Sequence, residues 1–166
     1  MNNNITIRFA TEEDIPLILS FIKELAKYEK LLDQVTATEQ KLRETLFNNK
    51  KYAEVIIASI NNKVAGYALF FHTFSSFLSK PGLYLEDLYI KPEFRKQKIA
   101  TSILIYLANL AVDRGCDRFE WACLDWNQPA IDFYTSMGAI AMDEWTVYRV
   151  NGNNLKSLAN KQTQLV

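Results

Sequence analysis

Two adjacent carboxylates, Glu86 and Asp87, stand near the end of an apolar run and are followed by a short basic loop. Residues 85–100 read Leu-Glu-Asp-Leu-Tyr-Ile-Lys-Pro-Glu-Phe-Arg-Lys-Gln-Lys-Ile-Ala. Arg95, Lys96 and Lys98 bring positive charge to the start of a predicted helix, whose unpaired N–H groups and dipole also attract anions. The layout predicts a site for an anionic group such as a phosphate. A strand, a turn and a helix with ordinary N-terminal residues and no binding site would have a similar sequence.

Composition limits the kind of protein that the chain can form. With 166 residues and 49% hydrophobic side chains it can bury one core, so a single domain over residues 1–166 is expected. A net charge of 0 lacks the basic excess of a nucleic-acid binder. No apolar run reaches the ~18 residues of a membrane span, and no N-terminal targeting pattern is visible. A cytoplasmic protein without nucleic-acid or membrane partners is therefore predicted.

The sequence contains few residues that could bind a metal ion. Cys116 and Cys123 do not form a Cys-x-x-Cys pair, and His72 is the single histidine of the chain. These residues do not match a zinc ligand pattern, so no metal is expected. Both thiols are interpreted as reduced and partly buried.

Hydrophobic periodicity predicts the elements that position these residues. Before residue 83 we expect a strand over 5–9, a helix after a capping box at 11–14, a second helix over 38–47, and a hairpin of strands 52–60 and 64–73. Pro81-Gly82 is interpreted as a break before the next strand.

The second half of the chain alternates strands with helices. We expect strands over 83–90, 118–124 and 145–150, a helix over 99–114 that ends at Gly115, and a short helix between Pro129 and Gly138. Parallel neighbouring strands need a crossover helix, so this order indicates an α/β protein with a partly parallel sheet.

Three segments give the chain a resemblance to a known superfamily. They read Ile-Lys-Glu-Leu-Ala-Lys-Tyr-Glu at 22–29, Tyr-Leu-Glu-Asp at 84–87 and Trp-Asn-x-Pro-x-Ile-x-Phe-Tyr at 126–134. In this element order they resemble the GCN5-related N-acetyltransferase (GNAT) superfamily, and within it the diamine (spermidine/spermine) and thialysine acetyltransferase group. The resemblance covers most of the chain. It implies a mixed, mostly antiparallel sheet with flanking helices and an acetyl-CoA cleft where the parallel strands 83–90 and 118–124 splay apart.

The resemblance also implies which residues bind the co-substrate acetyl-CoA. Backbone groups of Leu88, Tyr89 and Ile90 would pair with its pantetheine amides like an added strand. Asn127 and Tyr134 would contact the CoA chain, and Asn127 could instead, or in addition, cap the helix at Pro129. The pyrophosphate would be held by the basic loop and helix start, which comprise Arg95, Lys96, Gln97, Lys98, Ile99, Ala100 and Thr101.

The basic loop departs from the family pattern, which is Arg-Gly-x-Gly-x-Gly or Arg-x-x-Gly-x-Ala. Lysines stand at both early glycine positions, 96 and 98. Glycine lets such a loop adopt unusual backbone angles and approach the pyrophosphate closely. Two alternatives follow. Either the backbone adopts those angles and the lysines add charge, which the cationic replacements favour, or the loop has drifted and the chain is a CoA-binding module with little or no turnover.

Acetyl transfer from a thioester to an amine needs a neutral amine and a proton for the leaving thiolate. A lysine-type amine has a pKa near ~10.4, so it arrives protonated and must lose a proton. By resemblance, Glu86 accepts that proton through water. Asp87 could share the role only if the strand bulges, because consecutive strand residues point to opposite faces. Tyr134 is the expected acid by the same resemblance, although a tyrosine beside Phe133 would more often be core packing.

The identity of the amine is the least determined feature. Here Lys30, Leu31 and Leu32 interrupt an acidic run that is longer in the related polyamine enzymes. A less acidic channel weakens long polycations more than short amines, so small diamines or lysine-like amino acids compete with spermidine. The resemblance further implies a homodimer. The residues expected to hold the amine are Tyr28, Glu29, Glu86, Asp87 and Glu144.

Overall fold

The computed structural model describes residues 4–161 of the chain. The described strands form a five-stranded sheet in the order β1-β2-β3-β4-β5, and all neighbours are antiparallel except the parallel pair β4 and β5. These strands are β1 (Ile5–Phe9), β2 (Glu54–Ile60), β3 (Lys63–Ser75), β4 (Lys80–Ile90) and β5 (Phe119–Trp121). The predicted fold class, an α/β protein with a mixed and mostly antiparallel sheet, is confirmed.

Five α-helices lie in the described part of the chain. They are α1 (Ile15–Tyr28), α2 (Glu39–Leu42), α3 (Ile99–Asp113), α4 (Gln128–Ser136) and α5 (Gly152–Ala159). Helix α2 continues into a π-helical turn over Arg43–Phe47, so the predicted second helix exists but changes its winding midway. Among residues 4–161, none of the helices is long and apolar enough to cross a membrane.

The chain divides into two compact units, Met1–Trp126 and Asn127–Val166. The first contains the whole sheet together with α1, α2 and α3, and the second contains α4 and α5. A single domain over residues 1–166 stays a prediction.

The two faces of the sheet carry different helices. On one face, Phe21 of α1 stacks on Tyr67 of β3, with ring centroids 5.1 Å apart and ring planes 4° apart. On the other face, Phe9 contacts both Phe70 of β3 and Tyr106 of α3. Tyr67 and Phe70 point to opposite faces because they are three residues apart on one strand. We refer to these as the α1 face and the α3 face.

Two predicted turns have the expected backbone. Asn61 and Asn62 join β2 to β3 with φ angles of 49° and 63°, the positive values that a tight hairpin turn requires. Helix α3 is followed by Gly115 with a φ of 72°, a left-handed residue of the kind that commonly ends a helix.

The predicted break at Pro81-Gly82 is wrong. Both residues lie inside β4, which begins at Lys80, and the turn from β3 occupies residues 76–79. Gly82 is required there by close packing, because a Cβ atom would lie 2.6 Å from the Thr73 hydroxyl and 2.9 Å from Cγ of Arg118. Strand β5 is also shorter than the predicted strand over 118–124.

The predicted last strand over residues 145–150 is absent from the described part of the chain. The segment has the β-branched and aromatic composition of a strand, but a strand also needs a neighbour for its backbone hydrogen bonds. Trp145, Val147 and Tyr148 are instead exposed, and the chain continues into α5.

Candidate active site

The parallel ladder between β4 and β5 is short and opens toward the carboxyl ends of the strands. It pairs Leu83 with Phe119 and ends at the pairing of Leu85 with Trp121. Beyond that point, residues 87–90 remain paired to β3 but the β5 ladder does not continue. The opening therefore lies beside Leu88, Tyr89 and Ile90, the residues expected to pair with pantetheine.

Strand β4 bulges at Glu86. Leu69 of β3 pairs with Asp87 and the next β3 residue, Phe70, pairs with Leu85, so Glu86 is the extra residue. A bulge interrupts the alternation of side chains along a strand. Leu85 therefore shares the α3 face with Phe70, whereas Asp87 lies on the α1 face. The bulge that would let both carboxylates approach one cleft is present, with Glu86 exposed and Asp87 half-buried.

A buried tyrosine holds the Asp87 carboxylate. The Tyr67 hydroxyl donates a hydrogen bond to Oδ2 of Asp87 at 2.7 Å. Tyr67 has no exposed surface, and its ring lies between the sheet and Phe21 of α1. The tyrosine and the carboxylate are thus fixed at the base of the α1 face.

Glu29 follows the last residue of α1 and faces the same region. Burial raises the pKa of Asp87, and the Tyr67 hydrogen bond opposes that rise. Burial also raises the pKa of Glu29, and the negative charge of Asp87 raises it further. A cation bound between these carboxylates would relieve both effects, since an opposite charge nearby favours the ionised form. The pair is suited to holding an ammonium group or accepting its proton.

The basic loop keeps a glycine-like backbone without glycine. Lys96 and Lys98 have φ angles of 60° and 64°, in the left-handed region that side chains rarely adopt. Lys98 directly precedes α3, and its carbonyl accepts the Ser102 N–H at 2.9 Å. The two lysines therefore adopt the backbone angles for which glycine is usually needed, and both are exposed at the start of a helix.

Arg95 lies against aromatic rings at the start of this loop. Its guanidinium is 5.0 Å from the ring centroid of Tyr28 and 5.9 Å from that of Tyr89. Its Nε donates a hydrogen bond to the carbonyl of Ile90 at 3.1 Å. The side chain thus connects the loop to the end of α1 and to β4. Gln97 likewise folds back, donating from Nε2 to the Glu93 carbonyl.

Aromatic and cationic side chains surround Tyr28 at the end of α1. Its ring lies 6.0 Å from that of Trp126, and the Lys30 ammonium is 5.5 Å from the Trp126 centroid. Lys30 itself adopts a φ of 63°, two residues after the last residue of the helix. The predicted substrate residues Tyr28, Glu29 and Asp87 are therefore brought to the α1 face of the first unit.

Three predicted site residues belong to the second unit. Tyr134 lies within α4, where its ring contacts Phe133 at 5.4 Å between centroids. Asn127 occupies the N-cap position of α4 and is buried, but its side chain makes no capping hydrogen bond. The backbone carbonyl of Asn127 accepts the N–H groups of Ala130 and Ile131. Glu144 is exposed in a turn.

Tyr67 is the residue at this site that sequence reasoning missed. In the sequence it is one aromatic residue within a run of strand formers, and such residues usually serve as core packing. A buried tyrosine hydroxyl needs a polar partner, which is the signal that could have identified it. The partner itself depends on the β-bulge, which the sequence does not reveal.

Comparisons with known proteins connect this geometry to an activity. The model of the acetyltransferase (GNAT) family matches residues 22–139 of the chain. The chain belongs to this family. Thialysine N-epsilon-acetyltransferase from Sus scrofa is 37% identical over 95% of this chain and 99% of its own length. L-ornithine N5-acetyltransferase NATA1 from Arabidopsis thaliana is 29% identical over 92% of this chain and 86% of its own length.

A solved structure has the same fold as this chain. The integron cassette protein VCH_CASS6 from V. cholerae superposes with a TM-score of 0.79 and 27% identity, covering 95% of this chain and 98% of that protein. The chain is thus an N-acetyltransferase of the GNAT family that uses acetyl-CoA, as the sequence resemblance implied. The alternative of a degenerate CoA-binding module gains no support from these matches.

Proposed function

We propose that this GNAT protein acetylates the primary amine of a short substrate that carries a second cationic or amino-acid group. The observation that carries the proposal is the carboxylate pair Asp87 and Glu29, whose pKa values burial raises at the end of α1. Two half-buried carboxylates at one site match a substrate with a compact positive charge. A long polycation would need further carboxylates along its length.

The names of the relatives support this choice of substrate. The proteins from Sus scrofa and Caenorhabditis elegans are thialysine acetyltransferases, and the Arabidopsis protein is an L-ornithine acetyltransferase. Both substrates are amino acids with a side-chain amine. A spermidine/spermine acetyltransferase-like protein from Homo sapiens is also similar, at 31% identity, but this chain covers 23% of its length.

The surroundings of Tyr28 add a reason for a short substrate. Lys30 is a cation beside the aromatic pair Tyr28 and Trp126, at the position where the acidic run is interrupted. A fixed ammonium repels the outer charges of spermine while affecting a two-charge substrate less. We therefore expect substrate length to be limited at the end of α1.

The proposed reaction begins with deprotonation of the substrate ammonium, with Glu86 or Asp87 accepting that proton. The nitrogen then bonds to the acetyl carbon, which acetyl-CoA supplies as its thioester. The carbon–sulfur bond breaks with its electron pair on sulfur. Tyr134 delivers its hydroxyl proton to the sulfur, and the second nitrogen proton, lost as the amide forms, passes to the phenolate of Tyr134 and restores its hydroxyl. The products are the N-acetyl amide and the CoA thiol.

Binding of acetyl-CoA is assigned to the opening beside β4 and to the basic loop. The edge of residues 88–90 offers backbone groups for the pantetheine amides, while Lys96 and Lys98 offer charge for the phosphates. Because both lysines hold left-handed angles, the loop fits a phosphate group without its family glycines. The roles of Asn127 and Tyr134, which belong to the second unit, stay predictions from the family resemblance.

A thiol-release assay over an amine panel tests the proposal. Lysine, ornithine, S-(2-aminoethyl)cysteine and putrescine should each have a higher kcat/KM than spermine. Glu29→Gln should lower kcat/KM for the preferred amine by up to about fivefold per lost charge pair, whereas the exposed control Glu39→Gln should not. Dominance of spermine would contradict the short-substrate proposal, and absence of acetylation on every amine would contradict the proposed activity.

A further inference from the structure

The Tyr67 hydroxyl is a polar group at the centre of an apolar cluster. Tyr67 is fully buried, and its ring stacks face to face on Phe21. Tyr89 packs against the same phenylalanine, at 6.1 Å between ring centroids. A phenylalanine would fill this place equally well if packing were the sole requirement, so the hydroxyl needs an explanation. Its hydrogen bond to Asp87 supplies one.

We propose that Tyr67 is a positioning residue that fixes the Asp87 carboxylate, through Oδ2, in the orientation from which Oδ1 meets the substrate ammonium. The proposal deepens the proposed function and rests on it. The geometry that carries it is the β-bulge, which turns Asp87 onto the α1 face, and the 2.7 Å hydrogen bond that holds it there.

The carboxylates near Asp87 make this hydrogen bond more consequential. Glu29 at the end of α1 and Glu86 on β4 itself are both negative, and their charges reach Tyr67. Cys123, near Glu29, has its thiol pKa raised by burial and by that carboxylate. The hydroxyl donor therefore opposes the effect of burial on the pKa of Asp87, and keeps Asp87 ionised at lower pH.

Two cations lie on the aromatic rings of the same cluster. The Lys91 ammonium is 5.6 Å from the Phe21 centroid, and the Arg95 guanidinium is 5.9 Å from the Tyr89 centroid. Both rest on rings that pack around Tyr67. Tyr67 is thus the group that hydrogen bonds Asp87 directly from β3, while the cations act at a distance.

The first experiment needs no substrate. A titration of carboxyl-¹³C-labelled aspartate by NMR, assigned with Asp87→Asn, measures the pKa of Asp87 in the wild type and in Tyr67→Phe. The pKa should be higher in Tyr67→Phe, because the donor that stabilises the ionised form is gone. Tyr106→Phe is the matched control on α3 and should leave the pKa unchanged. An unchanged Asp87 pKa in Tyr67→Phe overturns the proposal whether or not the proposed substrate is right.

Kinetics then test positioning. Tyr67→Phe should raise the amine KM roughly tenfold and move the acid limb of kcat/KM to higher pH, while the acetyl-CoA KM stays constant. On the Asp87→Asn background, Tyr67→Phe should cause no further loss, because Tyr67 acts through that carboxylate. Equal losses on both backgrounds would overturn the proposal.

Should Tyr67→Phe fold poorly, 3,5-difluorotyrosine at position 67 is a stronger hydrogen-bond donor and should move the acid limb of kcat/KM to lower pH. An unchanged acid limb would contradict the proposal.

Discussion

Asp87 occupies a place where negative charge is unfavourable, and this suits it to a cationic ligand. Burial raises its pKa, while the Tyr67 hydroxyl limits the rise. A carboxylate with a raised pKa is also a better proton acceptor than an exposed one, because its pKa lies nearer that of the amine. At the scale of the residue, the structure therefore separates the two neighbours: Asp87 is packed and held, whereas Glu86 is exposed on the bulge.

Tyr134→Phe tests the proposed proton donor. The substitution keeps the ring that packs on Phe133 and deletes the hydroxyl, so turnover should fall by roughly tenfold or more while acetyl-CoA affinity is maintained. Steady-state kinetics together with isothermal titration of acetyl-CoA measure the two effects. Tyr148→Phe, an exposed tyrosine of the same unit, is the control. Wild-type turnover in Tyr134→Phe would remove Tyr134 from the mechanism.

Glu29 and Asp87 could be predicted from the sequence, whereas Tyr67 could not. The carboxylates lie in segments that match a family motif, and charged residues next to apolar runs are recognisable as candidate site residues. Tyr67 is recognisable only when the pairing of β3 with β4 is known, since its partner lies twenty residues away. The β-bulge at Glu86 shifts the register of β4 against β3 by one residue, and the amino-acid composition does not indicate where this bulge lies.

At the scale of the element, the basic loop has lysines at two positions where the family has glycines, so it has more positive charge and a less favourable backbone conformation. Left-handed angles at Lys96 and Lys98 cost on the order of 1 kcal/mol each, because the Cβ atom crowds the following carbonyl. The two ammonium groups that accompany this cost are available to an anion. The loop should therefore bind phosphate with a larger ionic contribution than a glycine loop.

Lys98→Gly tests whether the lysine charge contributes to acetyl-CoA binding. The variant removes the backbone strain and the charge together, so acetyl-CoA affinity should fall by up to about fivefold, and its salt dependence should become weaker. Lys98→Gln, which loses the charge and keeps the strain, should lose affinity similarly. Lys23→Gln on the exposed side of α1 is the control. Titrations of acetyl-CoA at low and high salt measure the affinity and its salt dependence. Tighter binding by Lys98→Gly with unchanged salt dependence would refute the role of charge.

The start of α1 depends on one ion pair. Both guanidinium nitrogens of Arg8 hydrogen bond the two Asp14 oxygens at 2.7 Å, and Thr11 N–H adds a capping bond. The Arg8 hydrogen bonds are the main reason that the pKa of Asp14 falls from 3.8 to about 2. Because this pKa is lower in the folded state, the unfolded state binds more protons between those values. The ion pair therefore stabilises the fold above pH 4, and acidification toward pH 2 removes that contribution.

Asp14→Asn should lower the free energy of unfolding at pH 7 by about 2 kcal/mol. The difference from wild type should shrink as the pH falls from 4 to 2, since the wild-type carboxylate is then protonated as well. Urea denaturation at several pH values measures this, with the exposed neighbour variant Glu13→Gln as control. A pH-independent difference would mean that packing or capping, rather than ionisation, explains the loss.

Long periodic elements were predictable and elements that depend on a distant partner were not. Helix α1 begins directly after the predicted capping box, and α3 spans Ile99–Asp113, where the sequence pattern predicts a helix over 99–114. Pro81 looks like a break because it lacks an N–H, yet a strand accepts it near its first residue. The segment 145–150 has strand composition and no ladder in the described chain, because composition does not specify a neighbour.

At the scale of the whole molecule, the GNAT family match covers strands β2 to β5 together with α2, α3 and α4. The resemblance that implied this fold also implied a homodimer, which we propose for this chain. The second unit supports the proposal with a run of exposed apolar residues, in which Trp145 is 74% and Tyr148 is 92% exposed. Aromatic residues of this kind are enriched at protein interfaces.

Light scattering at micromolar concentration should therefore give the mass of a dimer. Val147→Lys, at a position that is 85% exposed, should shift the protein toward monomer because a charge at an interface core is unfavourable. Lysine at the exposed residue Asn153 should not shift it. A monomeric wild-type protein would rule out the dimer.

Strand β4 should accept substitutions far more readily than changes in length. Leu83 and Leu85 contribute to the α3 face, whereas Asp87 and Tyr89 contribute to the α1 face, and the extra residue at 86 is what makes this possible. Deletion of Glu86 alone would make Leu85 and Asp87 consecutive partners of Phe70 and Leu69, so both would keep their faces and the strand would lose its bulge and one carboxylate. Deletion of a paired residue such as Leu88 would instead move the side chains on one side of the deletion to the opposite face of the sheet. Descendants of this gene that remain folded are therefore expected to keep the number of residues on each side of the bulge, and with it the position of Asp87.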